Sequence, residues 1–342
     1  MNILITGGAG YIGSHVAKQL LETTDHTITI LDNLSTGSPK TLETLKTIRD
    51  FEFVKLDLKA FDKIPEVLQK HQIDTIIHFA ASIVVPESVE NPLKYYMNNT
   101  VNTTNLIKCA LENGVGKFVF SSTAATYGEP DSLPINGIDE NFPTKPINPY
   151  GMSKLMSEQV IQDAAKANAD FKYVIFRYFN VAGADIYYDD SAHTQLNPRI
   201  GQSFPNATHL IKIASECAVG KREKMAIFGD DFYTIDGTGV RDYIHVDDLA
   251  DAHIKAIHYL DENPSDIFNV GYGQGFSVRQ VIEAMKEVTE TDFPVEHAPR
   301  RAGDPAALIS DNTKIKSKMQ WIPKYKDLAL ICHSAYEWEK KL

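Results

Sequence analysis

The sequence predicts an α/β fold: a Rossmann-type doubly wound parallel sheet followed by a smaller α/β C-terminal region. Three observations predict this fold. Short apolar runs alternate with helix-periodic segments in the first half, a glycine motif joins the first run to the first helix, and the alternation breaks down after about residue 181. Because such alternation is typical of parallel sheets covered on both faces, we expect two domains, residues 1–180 and 181–342.

The predicted strands are short runs of β-branched, aromatic and other apolar residues. Strands buried on both faces of a parallel sheet have this composition. The segments between them, such as 13–23 and 102–113, repeat apolar residues at helical spacing, so each strand is expected to lead into a helix. The runs interpreted as strands are "NILITGG" (2–8), "TITILDN" (27–33), "EFVKLDL" (52–58), "DTIIHFAA" (74–81), "KFVFSST" (117–123) and "YVIFRYFN" (173–180).

The second half of the chain is less regular. The segment 182–206 is polar and loop-like, and the segment 229–240 carries several Gly, Asp and Thr residues. We interpret this half as a smaller, irregular region over the C-terminal edge of the sheet. Its shorter strand or helix signals lie at 224–228, 243–260, 267–282 and 293–297.

The composition excludes some partners and favours one compartment. The chain has 34 Lys and Arg against 45 Asp and Glu, a formal net charge of −11. Nucleic acids and anionic membranes bind clustered positive charge, so neither is expected as a partner. Cys109, Cys217 and Cys332 lie far apart and indicate reduced thiols. With no signal-peptide pattern and no apolar run of about 20 residues, the predicted location is the cytoplasm.

The glycine motif is "TGGAGYIG" (6–13), directly after the first predicted strand. Gly7, Gly10 and Gly13 permit a tight turn and bring the backbone close to a pyrophosphate, which binds at the positive end of the following helix. The second run leads to Asp32, 19 residues after Gly13, near the spacing of about 20 residues for an acid that binds the adenosine ribose. A carboxylate there repels the additional phosphate of NADP, so the predicted cofactor is NAD.

A second motif, "NPYGMSK" (148–154), places Tyr150 and Lys154 one turn apart on one helix face, with Asn148 as the N-cap. An ammonium beside a phenol favours the phenolate, so we expect the pKa of Tyr150 to lie below its usual value of about 10. Such a base removes the proton of an alcohol while a hydride leaves the same carbon. Thr123, at the C-terminal end of a strand, is expected to hold the substrate hydroxyl beside Tyr150.

Together these motifs resemble the extended short-chain dehydrogenase/reductase family, and within it the nucleotide-sugar 4-epimerases. The similarity covers nearly the whole chain. Six blocks carry it: "TGGAGYIGSH" (6–15), "ILDNLSTG" (30–37), "NPYGMSK" (148–154), "RYFNVAGA" (177–184), "DGTGVRDYIHVDDLADAH" (236–253) and "APRRAGDPA" (298–306).

The resemblance implies an enzyme of galactose metabolism that interconverts UDP-galactose and UDP-glucose. Hydride passes reversibly from sugar C4 to tightly bound NAD through a 4-keto intermediate. The implied partners are a UDP-hexose substrate and a second copy of the chain, in a homodimer formed through helices around residues 90–114 and 150–168.

The resemblance also implies roles for individual residues of the first domain. Tyr150 is the catalytic base, Lys154 keeps it ionised and contacts the nicotinamide ribose, and Thr123 stands where the family commonly has Ser. Asp57 is expected near the adenine. The positions that match NAD contacts are Gly7, Gly10, Tyr11, Ile12, Gly13, Asp32, Asn33, Asp57, Leu58, Phe79, Ala80, Asn98, Ser121, Tyr150, Lys154 and Phe179.

Matching positions in the second half imply a substrate site. Arg241 and Arg301 match diphosphate contacts, and their planar guanidinium groups suit that ligand. The positions around the sugar, uridine and ribose are Thr123, Asn180, His209, Leu210, Ala226, Phe228, Tyr243, Asp304 and Leu308.

The chain departs from the family pattern at three positions. Ile83 stands where some members carry a Lys near the cofactor, and the neighbours that replace this contact are open. His209 stands where some members carry an Asn that contacts the sugar. Leu308 stands where a bulky Tyr closes the sugar pocket in some members, so acceptance of UDP-N-acetylhexosamines is open.

Three other functions differ from this one in the residues that they require. A sugar-nucleotide 4,6-dehydratase needs an acidic pair after the strand-end Thr, but Ala124 and Ala125 follow here, which disfavours elimination. A 4-epimerase of UDP-glucuronate or a UDP-pentose uses the same chemistry and remains an alternative. A non-catalytic NAD-sensing protein is more remote, because it has no use for Tyr150 and Lys154.

Overall fold

The computed structural model describes residues 1–130, 134–188, 195–204, 208–301 and 304–342; Ala302 and Gly303 of the sixth sequence block lie outside them. The chain divides into two compact units. Unit 1 comprises residues 1–128, 143–178 and 250–268, and unit 2 comprises residues 129–142, 179–249 and 269–342. The assignment of cofactor binding to residues 1–180 and substrate binding to 181–342 stays a prediction.

The strands of the described residues are numbered in chain order. They are β1 (Asn2–Thr6), β2 (Thr27–Asp32), β3 (Glu52–Lys55), β4 (Thr75–His78), β5 (Lys117–Thr123), β6 (Lys172–Tyr178), β7 (Asn180–Ala182), β8 (Met225–Phe228), β9 (Val240–His245), β10 (Asp266–Val270), β11 (Gly275–Ser277), β12 (Val295–Ala298) and β13 (Ala307–Leu308).

The α-helices of the same residues alternate with the first strands, as predicted. They are α1 (Tyr11–Thr23), α2 (Pro39–Lys46), α3 (Ile64–Lys70), α4 (Val85–Glu90), α5 (Pro92–Tyr95), α6 (Asn102–Glu112), α7 (Pro149–Ala167), α8 (Leu210–Ala218), α9 (Val246–Glu262), α10 (Val278–Thr289), α11 (Thr313–Met319) and α12 (Leu328–Glu339). A π-helix (Tyr96–Val101) precedes α6, and a short 3-10 helix (Ala124–Thr126) follows β5. No helix within the described ranges is long and apolar enough to cross a membrane.

The central sheet has seven strands among the described residues, in the order β10-β6-β5-β4-β1-β2-β3. The neighbouring pairs from β6 to β3 are parallel. A buried cluster on one face joins side chains of the sheet, such as Leu4 and Phe118, to side chains of α3, α6 and α7, such as Ile64, Leu106 and Ile161. The prediction of a Rossmann-type doubly wound parallel sheet is confirmed.

Five of the six predicted runs extend beyond the strands that form, and two of these differences have a cause in the described contacts. β3 stops at Lys55, because the following residues turn, with the Asp57 carboxylate accepting the amide of Lys59 at 2.9 Å. The run 173–180 divides into β6 and β7, since β7 pairs with β9 instead of continuing in the central sheet.

Unit 2 contains two small sheets among its described residues. In the first, β9 is the centre, with β7 and β13 parallel to it and β11 antiparallel. In the second, β8 pairs with β12 in parallel. Strand register in the first sheet places Asn180 opposite Tyr243 and Leu308 opposite Arg241.

Candidate active site

The glycine loop between β1 and α1 is a tight turn against the residues that follow β4. Gly7 has a φ of +72°, and a Cβ there would lie 2.8 Å from the amide nitrogen of Ala80. A Cβ on Gly13 would overlap the carbonyl oxygen of Gly7 and lie 2.9 Å from the Cα of Gly8. The loop therefore has no room for a side chain at Gly7 or Gly13, and the first amides of α1, which lack intrahelical acceptors, form its far end.

Asp32, at the end of β2, anchors this loop. Its Oδ2 accepts the amide of Ala9 at 3.0 Å, and its Oδ1 accepts the amide of Leu34 at 2.8 Å. Burial raises the pKa of Asp32 above its ordinary value, although these two hydrogen bonds oppose the shift. Beside it, Asn33 Nδ2 donates to Asp57 Oδ2 at 2.9 Å. Three predicted cofactor residues thus lie together where β2 and β3 end.

The other predicted cofactor residues of unit 1 border the same strand ends. Tyr11 and Ile12 begin α1, and Phe79 follows β4, with its ring 4.9 Å from the ring of His253. Asn98, on the π-helix, donates to the Ser82 hydroxyl at 3.0 Å. Leu58 is buried just beyond β3, Ala80 lies against Gly7, and Ser121 lies near the end of β5.

These residues fit NAD. The glycine-rich turn at the helix N-terminus suits a pyrophosphate, and the carboxylates of Asp32 and Asp57 suit ribose and adenine hydrogen-bond donors.

The predicted base and the strand-end hydroxyl lie together. α7 begins where Asn148 Oδ1 accepts the amide of Gly151 at 2.9 Å, which confirms the predicted N-cap and sets Tyr150 in the first turn. Thr123 Oγ1 accepts the amide of Ala125 at 3.1 Å, and the Thr123 side chain is hydrogen-bonded to the Tyr150 phenol. The hydroxyl and the phenol can therefore act on the same substrate group.

Lys154 lies one turn further along α7 and is buried. Its Nζ donates to the carbonyl oxygen of Ser121 at 2.7 Å and lies 4.9 Å from the centre of the Phe120 ring. Burial lowers the pKa of Lys154 to about 7, although the carboxylate of Glu158 opposes this shift. The ammonium is thus held against β5 in a poorly solvated environment.

The prediction that the pKa of Tyr150 is lowered is wrong when only the groups of the protein itself act on it. Burial raises the pKa of Tyr150, and this effect outweighs the opposing hydrogen bond from Thr123. The spacing in α7 places Lys154 on the same face as Tyr150, but its ammonium donates to Ser121. A poorly solvated phenolate needs a further positive charge nearby to be favoured.

Sequence reasoning missed a buried polar group beside Lys154. Glu158 lies four residues beyond Lys154 and accepts hydrogen bonds from Arg177 and Ser122. The signal was present, because an acid at i+8 from Tyr150 continues the same helix face.

Unit 2 gathers several predicted substrate residues on its first small sheet. Asn180 and Tyr243 are opposite each other, as are Leu308 and Arg241. Arg241 Nη2 lies 3.3 Å from Asp304 Oδ1 in an ion pair. Leu308 is buried. Arg241, predicted to bind the diphosphate, therefore contacts Asp304, predicted near the ribose. It also lies opposite Leu308, predicted at the sugar pocket.

The second small sheet carries another pair of predicted substrate residues. The guanidinium of Arg301 lies 3.7 Å from the centre of the Phe228 ring, a cation–π contact. Ala226 lies two residues before Phe228 on β8.

A small cavity in unit 2 brings together another group. His209 Nδ1 is hydrogen-bonded to Gln202 Nε2 at 2.9 Å, and Leu210 begins α8. Asn180, His209, Leu210 and Tyr243 share the walls of this cavity. Phe179, predicted to contact the cofactor, is buried and donates its amide to Val270 at 3.2 Å.

The sequence and the structure both match a known family. The profile of the NAD dependent epimerase/dehydratase family matches residues 3–271, and the chain belongs to this family. The predicted class, an NAD-dependent epimerase, and the predicted cofactor NAD are confirmed.

Individual relatives indicate a narrower class of protein than the family does. The UDP-glucose 4-epimerase of Azospirillum brasilense is 46% identical over 341 residues, which cover 99% of this chain and 92% of that protein. The structure of the UDP-Glc/GlcNAc 4-epimerase from Campylobacter jejuni is 58% identical, with a TM-score of 0.85 and 99% of both chains covered. A UDP-glucose 4-epimerase from Bifidobacterium longum in complex with NAD+ and UDP is 35% identical, with a TM-score of 0.91 and 100% and 98% coverage.

Proposed function

We propose that this chain interconverts UDP-galactose and UDP-glucose at sugar C4, and that it also accepts UDP-N-acetylhexosamines. The hydrogen bond between Thr123 and Tyr150, beside the buried Lys154, is the observation that carries the proposal. A base and a hydroxyl at a strand end suit removal of an alcohol proton in a fold that binds a dinucleotide. The full-length similarity to UDP-glucose 4-epimerases supports the same activity.

The catalytic roles follow from the contacts. Tyr150 accepts the proton of the 4-hydroxyl, and Thr123 orients that hydroxyl beside it. NAD held by the glycine loop would supply a hydride acceptor and, in its oxidised form, a positive charge. A positive charge near Tyr150 would favour the phenolate that burial disfavours. Lys154, whose Nζ donates to the carbonyl oxygen of Ser121, adds a positive charge to this part of the site when it is protonated. Tyr150 returns its proton when the 4-keto sugar is reduced, so the reaction has no net redox change.

The binding roles follow in the same way. The amides at the start of α1 hold the cofactor pyrophosphate, and Asp32 accepts ribose hydroxyls with the lone pairs that the loop amides leave available. In unit 2, Arg241 and Arg301 bind the substrate diphosphate, while Asp304 takes the uridine ribose. A guanidinium can form two parallel hydrogen bonds to a phosphate, which suits both arginines to this role.

The substrate test is a panel of nucleotide sugars. Purified protein with its bound NAD should convert UDP-galactose to UDP-glucose, measured by chromatography of the products. We expect UDP-glucuronate and UDP-xylose to turn over at least about 100-fold more slowly, because one carries a carboxylate and the other no group where a hexose carries its C6 hydroxyl. Faster turnover of either one would instead favour the alternative 4-epimerase, and no turnover of any sugar would favour the NAD sensor.

Leu308 is expected to admit the N-acetyl group. It is buried in β13 opposite Arg241, and a Tyr at this position would add an aromatic ring beside Arg241. We expect Leu308→Tyr to lower kcat/KM for UDP-N-acetylglucosamine by about 100-fold or more through steric exclusion, with a change of less than about fivefold for UDP-glucose. Assays with both substrates check this.

The matched control is Ile309→Val, which changes the next side chain without adding volume. If Leu308→Tyr slowed both substrates equally, the residue would act on stability and not on selectivity.

We also propose that the chain forms a homodimer in the cytoplasm through an apolar stripe of unit 1. The stripe is defined by four exposed apolar side chains: Val85 and Val89 on α4, Leu93 on α5 and Met97 on the π-helix. Their exposed fractions are 38, 64, 73 and 55%. A solvent-exposed apolar stripe of this kind is typical of a surface that binds another protein chain.

Leu93→Asp is expected to convert the dimer to a monomer, because a carboxylate at the centre of the stripe is desolvated on association. Light scattering coupled to size-exclusion chromatography measures the mass. Ile322→Asp, at a 75% exposed position of unit 2, is the control and should leave the mass unchanged. A wild-type protein that is already a monomer would contradict the proposal.

A further inference from the structure

Three side chains of one face of α7 meet the last three residues of β5. Tyr150, Lys154 and Glu158 are spaced by four residues. Tyr150 is hydrogen-bonded to Thr123, and Lys154 donates to the carbonyl oxygen of Ser121. Glu158 Oε1 accepts the hydroxyl of the intervening Ser122. The helix therefore holds the end of β5 at three successive residues.

Glu158 is itself fixed by a cation from the next strand. Arg177, opposite Ser122 in the β5–β6 register, donates from Nε to Glu158 Oε1 at 3.1 Å and from Nη2 to Oε2 at 2.7 Å. Arg177 Nη1 also donates to the phenolic oxygen of Tyr127 at 3.1 Å. The exposed fractions of Glu158 and Arg177 are 0 and 5%, so this is a fully desolvated ion pair.

Stability alone does not account for this pair. Removing two charges from water costs about as much as their attraction returns, and an apolar pair of similar volume often stabilises a fold equally well. A paired charge does what an apolar pair does not: it orients hydrogen-bond partners and sets the potential around its neighbours. The neighbour here is Lys154, one helical turn away.

We propose that Glu158 is a positioning residue of the epimerase reaction, which fixes the end of β5 against α7 and keeps Lys154 in its ammonium form. The inference rests on the proposed function, since it assigns Glu158 a part in holding Thr123, Lys154 and Tyr150 for that reaction.

The surroundings of Lys154 support this role. Burial lowers the pKa of Lys154, and Glu158 is the group that opposes the shift. His78, on β4, is buried, and burial lowers its pKa to about 3. Its ring is therefore neutral at working pH and adds no charge beside Lys154. The titratable or charged groups around Lys154 and its anchor are Tyr150 and Glu158 from α7, His78 from β4, and Arg177 and Tyr178 from β6.

The test is the pH profile of kcat for Glu158→Gln. Activity that needs the Lys154 ammonium falls as pH rises through its pKa. Removing the neighbouring anion lowers that pKa further, so the high-pH limb should move about one unit towards lower pH. Asp163→Asn, which removes an exposed acid from the same helix, is the matched control and should leave the limb in place.

Glu158→Asp provides a second variant if Glu158→Gln does not fold, because it leaves Arg177 paired. Retracting the carboxylate by one methylene should move the limb in the same direction by about half a unit. A limb that stays in place in both folded variants, or in Glu158→Asp if only that one folds, would overturn the inference and leave Glu158 a structural residue.

A readout without substrate separates this inference from the proposed function. Titration of Lys154, followed by NMR of the protein with isotope-labelled lysine, should give a lower pKa in Glu158→Gln than in Asp163→Asn. If the wild type epimerises no nucleotide sugar, the proposed function fails while this titration still reports on Glu158. Equal titration in the two variants would overturn the role of Glu158 even in an active enzyme.

Discussion

Tyr150→Phe is expected to lower kcat for the conversion of UDP-galactose to UDP-glucose by about 1000-fold, within the range of a lost general base. The phenylalanine ring keeps the shape of the side chain and its edge contact with Tyr95, whose centroid lies 6.4 Å away. It has no oxygen to take the proton of the 4-hydroxyl or to bond with Thr123. NAD content and thermal stability should therefore stay within error of the wild type.

Tyr173→Phe is the matched control for this prediction. Tyr173 lies near the start of β6, while Tyr178, near the other end of that strand, is opposite Thr123. Tyr173→Phe should keep the wild-type kcat. Retention of more than about a tenth of the activity by Tyr150→Phe would show that another group takes the proton.

Gly13→Ala is expected to weaken NAD binding by about 100-fold, which corresponds to about 3 kcal/mol of overpacking. The added Cβ overlaps the carbonyl oxygen of Gly7, so the loop has to move away from α1. That movement shifts the amides that hold the pyrophosphate. The NAD released from denatured protein, measured by chromatography, should fall well below one per chain.

Gly116→Ala tests whether any added methyl group has this effect. A Cβ on Gly116 lies 3.5 Å from the carbonyl oxygen of Asp170, an ordinary contact. This variant should retain its NAD. Normal NAD content in Gly13→Ala, with unchanged thermal stability, would mean that the loop relaxes without moving its amides and that the tight contact has no functional role.

Local patterns account for the parts that could be predicted from the sequence. The glycine motif, the position of Asp32 at the end of β2 and the N-cap of α7 at Asn148 were each predicted from patterns of residues close together in the chain. Turn chemistry, strand ends and helix capping are short-range effects, so they can be read without knowing the tertiary structure. The order of the predicted strands and helices in unit 1 has the same origin.

Contacts between distant residues were not accessible in this way. The ion pair of Arg241 with Asp304 joins positions 63 residues apart, and Leu308 reaches Arg241 only through the register of β13 on β9. Glu158 could be placed on the catalytic face of α7 by its spacing, but its partner Arg177 comes from another strand. These contacts depend on how strands are ordered in a sheet.

The sequence by itself determined the class of the protein: the dinucleotide loop, the paired Tyr150 and Lys154, and the strand-end Thr123. Only the tertiary structure decided the electrostatic state of these groups. Burial raises the pKa of Tyr150 and lowers that of Lys154 to about 7, contrary to what the four-residue spacing alone indicates. The physical reason is that spacing in a helix sets which side chains are neighbours, whereas loss of water around them sets which charges they can carry.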